Sequence, residues 1–232
     1  MTRSDPKPIA IPVEGGKPVS GLLQVPADMR ACYVFAHGAG AGMQHAFMAA
    51  LADALAARGV ATLRYQFPFM ENNSKRPDPP KLAHAAVRAA VHEAARQLPD
   101  IDLVAGGKSF GGRMTSQAQA EAALPGVRGL VFVGFPLHPA GKPGVDRAQH
   151  LSAVHLPMLF LQGTRDDLAD SVLLGRTADD LGARATVNWF DDADHSFHVR
   201  RQSGRTDVQI LAGLADAIGS WIDQSIARAW RA

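Results

Sequence analysis

The sequence predicts a three-layer α/β fold, in which helices cover both faces of a mostly parallel sheet. Short apolar runs that resemble buried strands alternate with longer stretches whose apolar residues recur every three or four positions. This alternation is typical of a parallel sheet, because the crossover between two parallel strands is usually a helix. The 232 residues suit a single domain spanning 1–232, since no repeat, linker or low-complexity segment divides the chain.

Seven runs have the length and composition of buried strands. They cover residues 21–25, 32–36, 60–65, 103–105, 129–133, 158–161 and 186–190. The segment 1–12 precedes them, and we expect it to be a poorly ordered N-terminal extension.

Helical periodicity is clearest in three stretches. The apolar residues of each stretch fall on one face, which predicts packing against the sheet. The stretches are 45–58, 80–98 and a C-terminal helix whose apolar positions are Leu211, Leu214, Ile218, Ile222 and Ile226.

Composition and charge exclude several classes of function. A formal net charge of +2 with scattered basic residues argues against nucleic-acid binding, and no apolar run is long enough to span a bilayer. The N-terminus lacks the apolar core of a signal peptide, so we expect a cytoplasmic location. Cys32 is the single cysteine and lies in an apolar run, which predicts a buried, reduced thiol.

The stretch Gly107-Lys108-Ser109-Phe110-Gly111 admits two interpretations. A phosphate-binding P-loop would need glycine five residues before Gly107, where the chain has Asp102. The alternative is G-x-S-x-G, a sharp turn from strand to helix that exposes a serine hydroxyl. The run before this stretch resembles a strand, which favours the second interpretation. Ser109 could also simply cap the helix, a common use of serine.

Candidate partners for Ser109 follow two later strands. The segment after residues 158–161 contains Asp166, Asp167 and Asp170, and the segment after 186–190 contains His195 and His198. Ligands of parallel sheets bind beyond the carboxyl ends of the strands, so these segments are expected to meet. The chain order Ser, Asp, His is the order of the catalytic triad in α/β-hydrolases.

These motifs give the chain a clear resemblance. His37-Gly38, the Ser109 turn, Gly163-Thr164-Arg165-Asp166 and Asp194-His195-Ser196-Phe197 resemble small single-domain α/β-hydrolases of the dienelactone-hydrolase-like families. Segments 64–68 and 75–80 are similar to a branch of predicted hydrolases that includes a subunit of a eukaryotic histone-acetylating complex. The resemblance implies an α/β-hydrolase fold. Dienelactone hydrolases use cysteine where this chain has Ser109, so their lactone substrate is not implied.

The resemblance and the chemistry together suggest a role for each residue. Ser109 is the expected nucleophile, His195 the base that accepts its proton, and Asp166 the acid that orients the imidazole. His198 remains an alternative base, and Asp167 and Asp170 remain alternative acids.

The tetrahedral intermediate of such a reaction needs fixed hydrogen-bond donors for its oxyanion. The N–H of Phe110 follows the nucleophile and is expected to supply one donor. Ala39, with Gly40 as the alternative, is expected to supply the second from the glycine-rich loop after residues 32–36. A tight turn without a catalytic role would explain these glycines equally well.

The expected substrate is a small-molecule ester or thioester. Residues 134–156 are too few for a large cap domain, so the site is expected to be open. Phe67, Phe69 and Met70, together with Gly40, are candidates for substrate binding, although ordinary loop packing would account for the three apolar side chains.

The sequence also bears on metal-dependent, dinucleotide-dependent and non-catalytic functions. The segment 191–198 holds two imidazoles and several carboxylates but lacks a convincing distal ligand, so no metal is expected. No G-x-G-x-x-G opens a helix after the first strand, so no dinucleotide cofactor is expected. The remaining alternative is a binding or scaffold protein that kept the fold without useful turnover.

Overall fold

The computed structural model describes residues 5–225 and is organised around an eight-stranded sheet. The strands are β1 (Lys7–Ile11), β2 (Val19–Gln24), β3 (Ala31–Ala36), β4 (Val60–Tyr65), β5 (Leu103–Lys108), β6 (Val127–Val133), β7 (Met158–Gly163) and β8 (Ala185–Phe190).

The strand order brings the functional ends of the strands together. The order is β1-β2-β4-β3-β5-β6-β7-β8, with β2 antiparallel to both β1 and β4 and all other neighbours parallel. The chain runs outward from β3 to β4 and then crosses back to β5, so the strand order reverses between β3 and β5. Such a reversal opens a crevice at the carboxyl ends of the strands.

Helices cover both faces of the sheet, which confirms the predicted fold. The helices α1 (Ala46–Ala56) and α6 (Asp207–Ser225) pack on one face, and α3 (Pro80–Gln97), α4 (Phe110–Glu121) and α5 (Ser171–Leu181) pack on the other. A single turn, α2 (Pro68–Glu71), follows β4. No helix within residues 5–225 is long and apolar enough to cross a bilayer. Ile226, assigned to the last helix from its periodicity, lies outside the described residues.

The central strands are buried along their whole length, as their mainly apolar sequences predict, although β4 also buries Thr62 and Arg64. Every residue of β3 and of β4 is buried. Cys32 lies in β3, where burial raises the pKa of its thiol to about 12. The thiol is therefore protonated and unreactive at neutral pH.

The expectation of a poorly ordered extension over residues 1–12 is wrong for β1. This strand pairs antiparallel with β2 at the edge of the sheet. Pro8 lowers the strand propensity of the segment, but an edge strand tolerates proline because one side of its backbone needs no partner. Gly21 of β2 makes room for the pairing, since a Cβ there would lie 2.8 Å from Ile11 Cδ1.

The segment between β6 and β7 contains no large cap domain, as predicted. Its regular structure is one 3₁₀ helix, Asp146–Ala153. The carboxyl edge of the sheet is therefore not covered by a domain inserted at this point.

Candidate active site

Ser109 occupies a sharp turn between β5 and α4. Its backbone φ is +49°, a conformation that non-glycine residues adopt only under strain. The N–H of Ser109 donates to the carbonyl of Val133 at 3.1 Å, which ties the turn to the end of β6. The Ser109 side chain makes no capping hydrogen bond to α4, so helix capping does not explain this serine.

The glycines of the motif permit the close approach that this turn requires. A Cβ on Gly107 would overlap the carbonyl oxygen of Ala36, and one on Gly111 would lie 2.5 Å from that of His37. Real Cβ atoms do not come this close to backbone oxygen, so both positions need glycine. The turn is held against β3 and the loop that follows it.

His195 lies in the loop after β8 and contacts Ser109. Its Nε2 is 2.8 Å from Ser109 Oγ, and its Nδ1 is 2.7 Å from Asp166 Oδ2. A carboxylate can only accept, so the Nδ1–H of a neutral imidazole donates to Asp166. Nε2 is then free to accept the hydroxyl proton of Ser109.

Asp166 follows β7 and is held by three donors. Its carboxylate is fully buried; Oδ2 accepts from His195 and from Gln162 Nε2 at 2.5 Å, and Oδ1 accepts from the N–H of Leu168 at 2.8 Å. The Oε1 of Gln162 accepts from the N–H of Phe135 at 2.9 Å, which fixes the orientation of the amide. Gln162 therefore presents a donor to Asp166, a role that its position inside a strand did not reveal in the sequence.

The alternative acids and the alternative base have other contacts. Asp170 caps α5 by accepting from the N–H of Leu173 at 2.9 Å, and Asp167 is exposed. His198 Nδ1 lies 2.8 Å from Asp207 Oδ2 at the start of α6, on the protein surface.

The carboxylates of the 191–198 segment stabilise the loop around His195. Asp194 Oδ1 accepts from the N–H groups of Ser196 and His198, and Asp192 pairs with Arg200. Within residues 5–225, no three histidine, cysteine, aspartate or glutamate side chains are grouped as a metal ion would require.

Lys108 supports the same loop from the turn itself. Its Nζ donates to the carbonyl of His195 and lies 5.3 Å from the centre of the Phe197 ring. Burial lowers the pKa of this amine to about 8, while the carboxylates of Asp166 and Asp194 oppose the shift. A charged Lys108 therefore links the strand that leads to Ser109 to the loop that carries His195.

His37 links the loops after β3 and β4. It is fully buried; its Nε2 accepts from the N–H of Phe67 at 3.0 Å, so its Nδ1–H donates to the carbonyl of Gly38 at 2.7 Å. The ring also packs edge-on against Phe67 and Phe69. Burial lowers its pKa from 6.5 to about 4, so the imidazole stays neutral at physiological pH.

This buried imidazole predicts a loss of stability in acid. Between pH 6.5 and 4 the unfolded chain protonates His37 while the folded protein does not, so the free energy of unfolding falls as the pH is lowered through this window. The full effect is roughly 3 kcal/mol. Urea unfolding at pH 7 and pH 4.5 measures this loss of unfolding free energy. We expect a smaller loss in His37→Gln than in the wild type, because glutamine can keep both hydrogen bonds without titrating. An equal loss in the two proteins would contradict the prediction.

The two predicted oxyanion donors lie beside Ser109. Phe110 is the first residue of α4, so its N–H has no acceptor within the helix. Ala39 follows the segment anchored by His37, and both residues line the same cavity as Ser109. Gly40, the alternative donor, is exposed and does not line that cavity.

The cavity beside Ser109 has a volume of about 360 Å³ and a mixed lining. Its apolar part comes from Met114, Leu168 and several prolines, and its polar part from Asp78, Arg113 and Arg147. The size suits a small ligand.

The residues predicted to form an apolar wall of the substrate site do not line this cavity. Phe67 and Phe69 are buried in an aromatic cluster with His37 and Phe110, and neither they nor Met70 line the cavity. Met70 packs against the core. The loop after β4 turns these side chains inward, which their position after a strand could not indicate. Gly40 is likewise absent from the lining, so none of the four proposed substrate-binding residues contacts this cavity.

The lining residues Arg113 and Arg147 were missed at the level of sequence. Arg113 follows Ser109 by four residues, and helical periodicity would have predicted that the two side chains lie on the same face of α4. Arg147 lies in the irregular β6–β7 segment, where no sequence pattern indicates which way a side chain points.

Solved structures with the same fold include several hydrolases. A dienelactone hydrolase from Anabaena variabilis superimposes with a TM-score of 0.74 at 18% identity, over 97% of this chain and 99% of that chain. An α/β serine hydrolase without a lid from Xanthomonas campestris gives 0.73 at 20% identity, over 95% and 97%. The esterase domain of a Rhodothermus marinus protein gives 0.73 at 17% identity, over 94% and 98%. At these identities the likeness establishes the fold.

Family membership rests on the sequence match. The profile of the "Alpha/beta hydrolase domain" family matches residues 29–223. This range runs from just before β3 to the end of α6 and includes Ser109, Asp166 and His195. The chain therefore belongs to the alpha/beta hydrolase domain family.

Proposed function

We propose that this protein is a serine hydrolase that cleaves a small carboxylic ester or thioester through an acyl-enzyme intermediate. The observation that carries the proposal is the continuous hydrogen-bonded chain from Ser109 through His195 to Asp166, with links of 2.8 and 2.7 Å, beside a cavity of about 360 Å³. A helix cap or a structural hydrogen bond would require neither the strained turn at Ser109 nor all three groups in line.

Acylation begins when Ser109 Oγ attacks the substrate carbonyl carbon. His195 Nε2 accepts the hydroxyl proton as the new C–O bond forms, and the buried carboxylate of Asp166 stabilises the resulting imidazolium. The carbonyl π electrons move onto oxygen, where the N–H groups of Phe110 and Ala39 are the proposed donors. The partial positive charge at the N-terminus of α4 favours the same oxyanion.

Loss of the leaving group completes acylation, and deacylation then repeats the sequence with water as the nucleophile. Collapse of the tetrahedral intermediate breaks the bond to the alcohol or thiol, which leaves with the proton from His195 Nε2. A water molecule then attacks the acyl-enzyme while Nε2 accepts one of its protons. The second collapse releases the carboxylic acid, and the proton returns to Ser109 Oγ, so the enzyme regains its starting state.

Labelling with a fluorophosphonate, which reacts with activated serines, tests the proposal. Intact-mass spectrometry should detect one adduct on the wild-type protein and none on Ser109→Ala. Ser116→Ala is a matched control, because Ser116 Oγ also lies 2.7 Å from a histidine, His150 Nε2, but is fully buried. We expect this variant to be labelled like the wild type.

The same experiment separates the proposal from the scaffold alternative. Folded wild-type protein that forms no adduct would contradict an activated nucleophile and favour a binding role. An adduct that persists on Ser109→Ala would assign the nucleophile to another residue.

A further inference from the structure

Two arginines face the cavity that contains Ser109. Arg113 lies on the first turns of α4, and Arg147 lies on the 3₁₀ helix Asp146–Ala153. Both side chains are half-buried, and burial, followed by the charge of Arg147, lowers the pKa of Arg113. Two cations therefore share one cavity and are partly removed from water.

Neither arginine is neutralised by a carboxylate within residues 5–225. Arg147 donates from Nη1 to the carbonyl of His138 at 3.1 Å, and Arg113 Nε is buried without a hydrogen-bond partner. Asp78 lines the same cavity and its Oδ2 accepts from the N–H of Phe69 at 2.8 Å, but among the described residues it forms no ion pair with either arginine. Some arginines elsewhere do have carboxylate partners, such as Arg58 with Asp216.

Two partly buried guanidinium groups that lack carboxylate partners are unfavourable unless another group supplies negative charge. Like charges repel, and buried polar groups without partners destabilise a fold. Arginine suits this position because its planar donors match carboxylate and phosphate oxygens. A bound anion would offset the positive charge that the two guanidinium groups bring to this cavity.

We propose that Arg113 and Arg147 bind an anionic oxygen group, a carboxylate or a phosphate, on the substrate whose ester or thioester bond Ser109 attacks. This inference rests on the proposed function. Arg113 is one helical turn from Ser109, so the anion would lie a few bonds from the reacting carbonyl. Met114, Leu168 and Pro136 line the same cavity and would contact the short apolar chain between the two groups.

Three matched esters test the inference. One is the 4-nitrophenyl monoester of glutaric acid, the second a neutral 4-nitrophenyl ester of equal chain length, and the third an equivalent ester ending in a phosphonate. The wild type should prefer the anionic esters in kcat/KM, and the better of the two identifies a carboxylate or a phosphate as the natural group. Arg113→Gln and Arg147→Gln should each lower the preference by about 10- to 100-fold, the range for a hydrogen bond to a charged group.

Arg128→Gln is the matched control. Arg128 is exposed, pairs with Asp102, and lies near the opposite end of the sheet, at the start of β6. Its replacement should leave the preference unchanged. Equal hydrolysis of all three esters by the wild type, or an equal loss toward all three in the arginine variants, would overturn the inference while leaving the hydrolase intact.

Failure of the proposed function would look different. No hydrolysis of any ester and no fluorophosphonate adduct would contradict the hydrolase itself. Calorimetric titration with glutarate and with inorganic phosphate then tests the anion site without turnover. Binding that is lost in Arg113→Gln would support the site, and no binding of either anion to the wild type would overturn it.

Discussion

Replacing His195 with alanine is expected to lower kcat for ester hydrolysis by about 10⁶-fold, close to the loss from removing the nucleophile itself. The hydroxyl of Ser109 is a weak nucleophile until a base accepts its proton, and His195 Nε2 is the base within hydrogen-bond distance at 2.8 Å. Without the imidazole, the leaving group also loses its proton donor. Steady-state hydrolysis of a 4-nitrophenyl ester, with circular dichroism to verify folding, measures the effect.

His198→Ala is the matched control for this prediction. His198 is three residues away in the same loop, but it is exposed and its Nδ1 contacts Asp207. We expect this variant to keep most of the activity. Asp207 raises the pKa of His198, so the contact stabilises the fold below about pH 6.5 and is lost as the pH rises through the raised pKa. Strong hydrolysis by His195→Ala and none by His198→Ala would reverse the assignment of the base.

The sequence predicted a sharp turn at Ser109 and the approach of Asp166 and His195 to it, because these features depend on local rules. A strained strand-to-helix turn needs small residues on both sides, and Gly107 and Gly111 supply them. The carboxyl ends of parallel strands share one edge, so residues that follow β7 and β8 had to come near Ser109. Asp166 contacts His195, whereas Asp170 caps α5. That Asp166 is the catalytic acid stays a prediction.

Features that depend on tertiary packing were not predicted. Nothing in the sequence around Phe67 and Phe69 indicates that the loop after β4 turns both rings toward His37, away from the cavity. β1 was missed for a related reason: its propensity is low, and its stability comes from pairing with β2. Arg147 belongs to a segment without periodicity, so only the fold brings it beside Arg113.

Replacing Asp166 with asparagine is expected to lower kcat by about 10⁴-fold. The carboxylate has three donors around it, from His195, Gln162 and the N–H of Leu168, and it accepts from all of them. Asparagine has a single side-chain oxygen, and the nitrogen that replaces the other oxygen carries two N–H donors. These N–H groups must face a part of the site whose own groups are donors.

Both orientations of the asparagine amide are unfavourable. If the amide nitrogen replaces Oδ2, it faces the Nε2 donor of Gln162, whose orientation Phe135 fixes, and it favours the His195 tautomer with its proton on Nε2. That tautomer cannot accept the proton of Ser109. If the nitrogen instead replaces Oδ1, the N–H of Leu168 loses its acceptor, and the imidazolium loses its stabilising charge.

Two neighbouring substitutions serve as controls. Asp167→Asn alters an exposed carboxylate, and Asp170→Asn keeps a side chain able to cap α5, so both should leave kcat nearly unchanged.

A pH–rate profile adds a readout that mere loss of structure would not produce. In Asp166→Asn, activity should recover partly at high pH, where hydroxide can assist deprotonation of Ser109. Near-normal turnover in Asp166→Asn at neutral pH, with a loss in either control, would assign the triad acid to that other aspartate, because only one carboxylate can orient Nδ1 of His195.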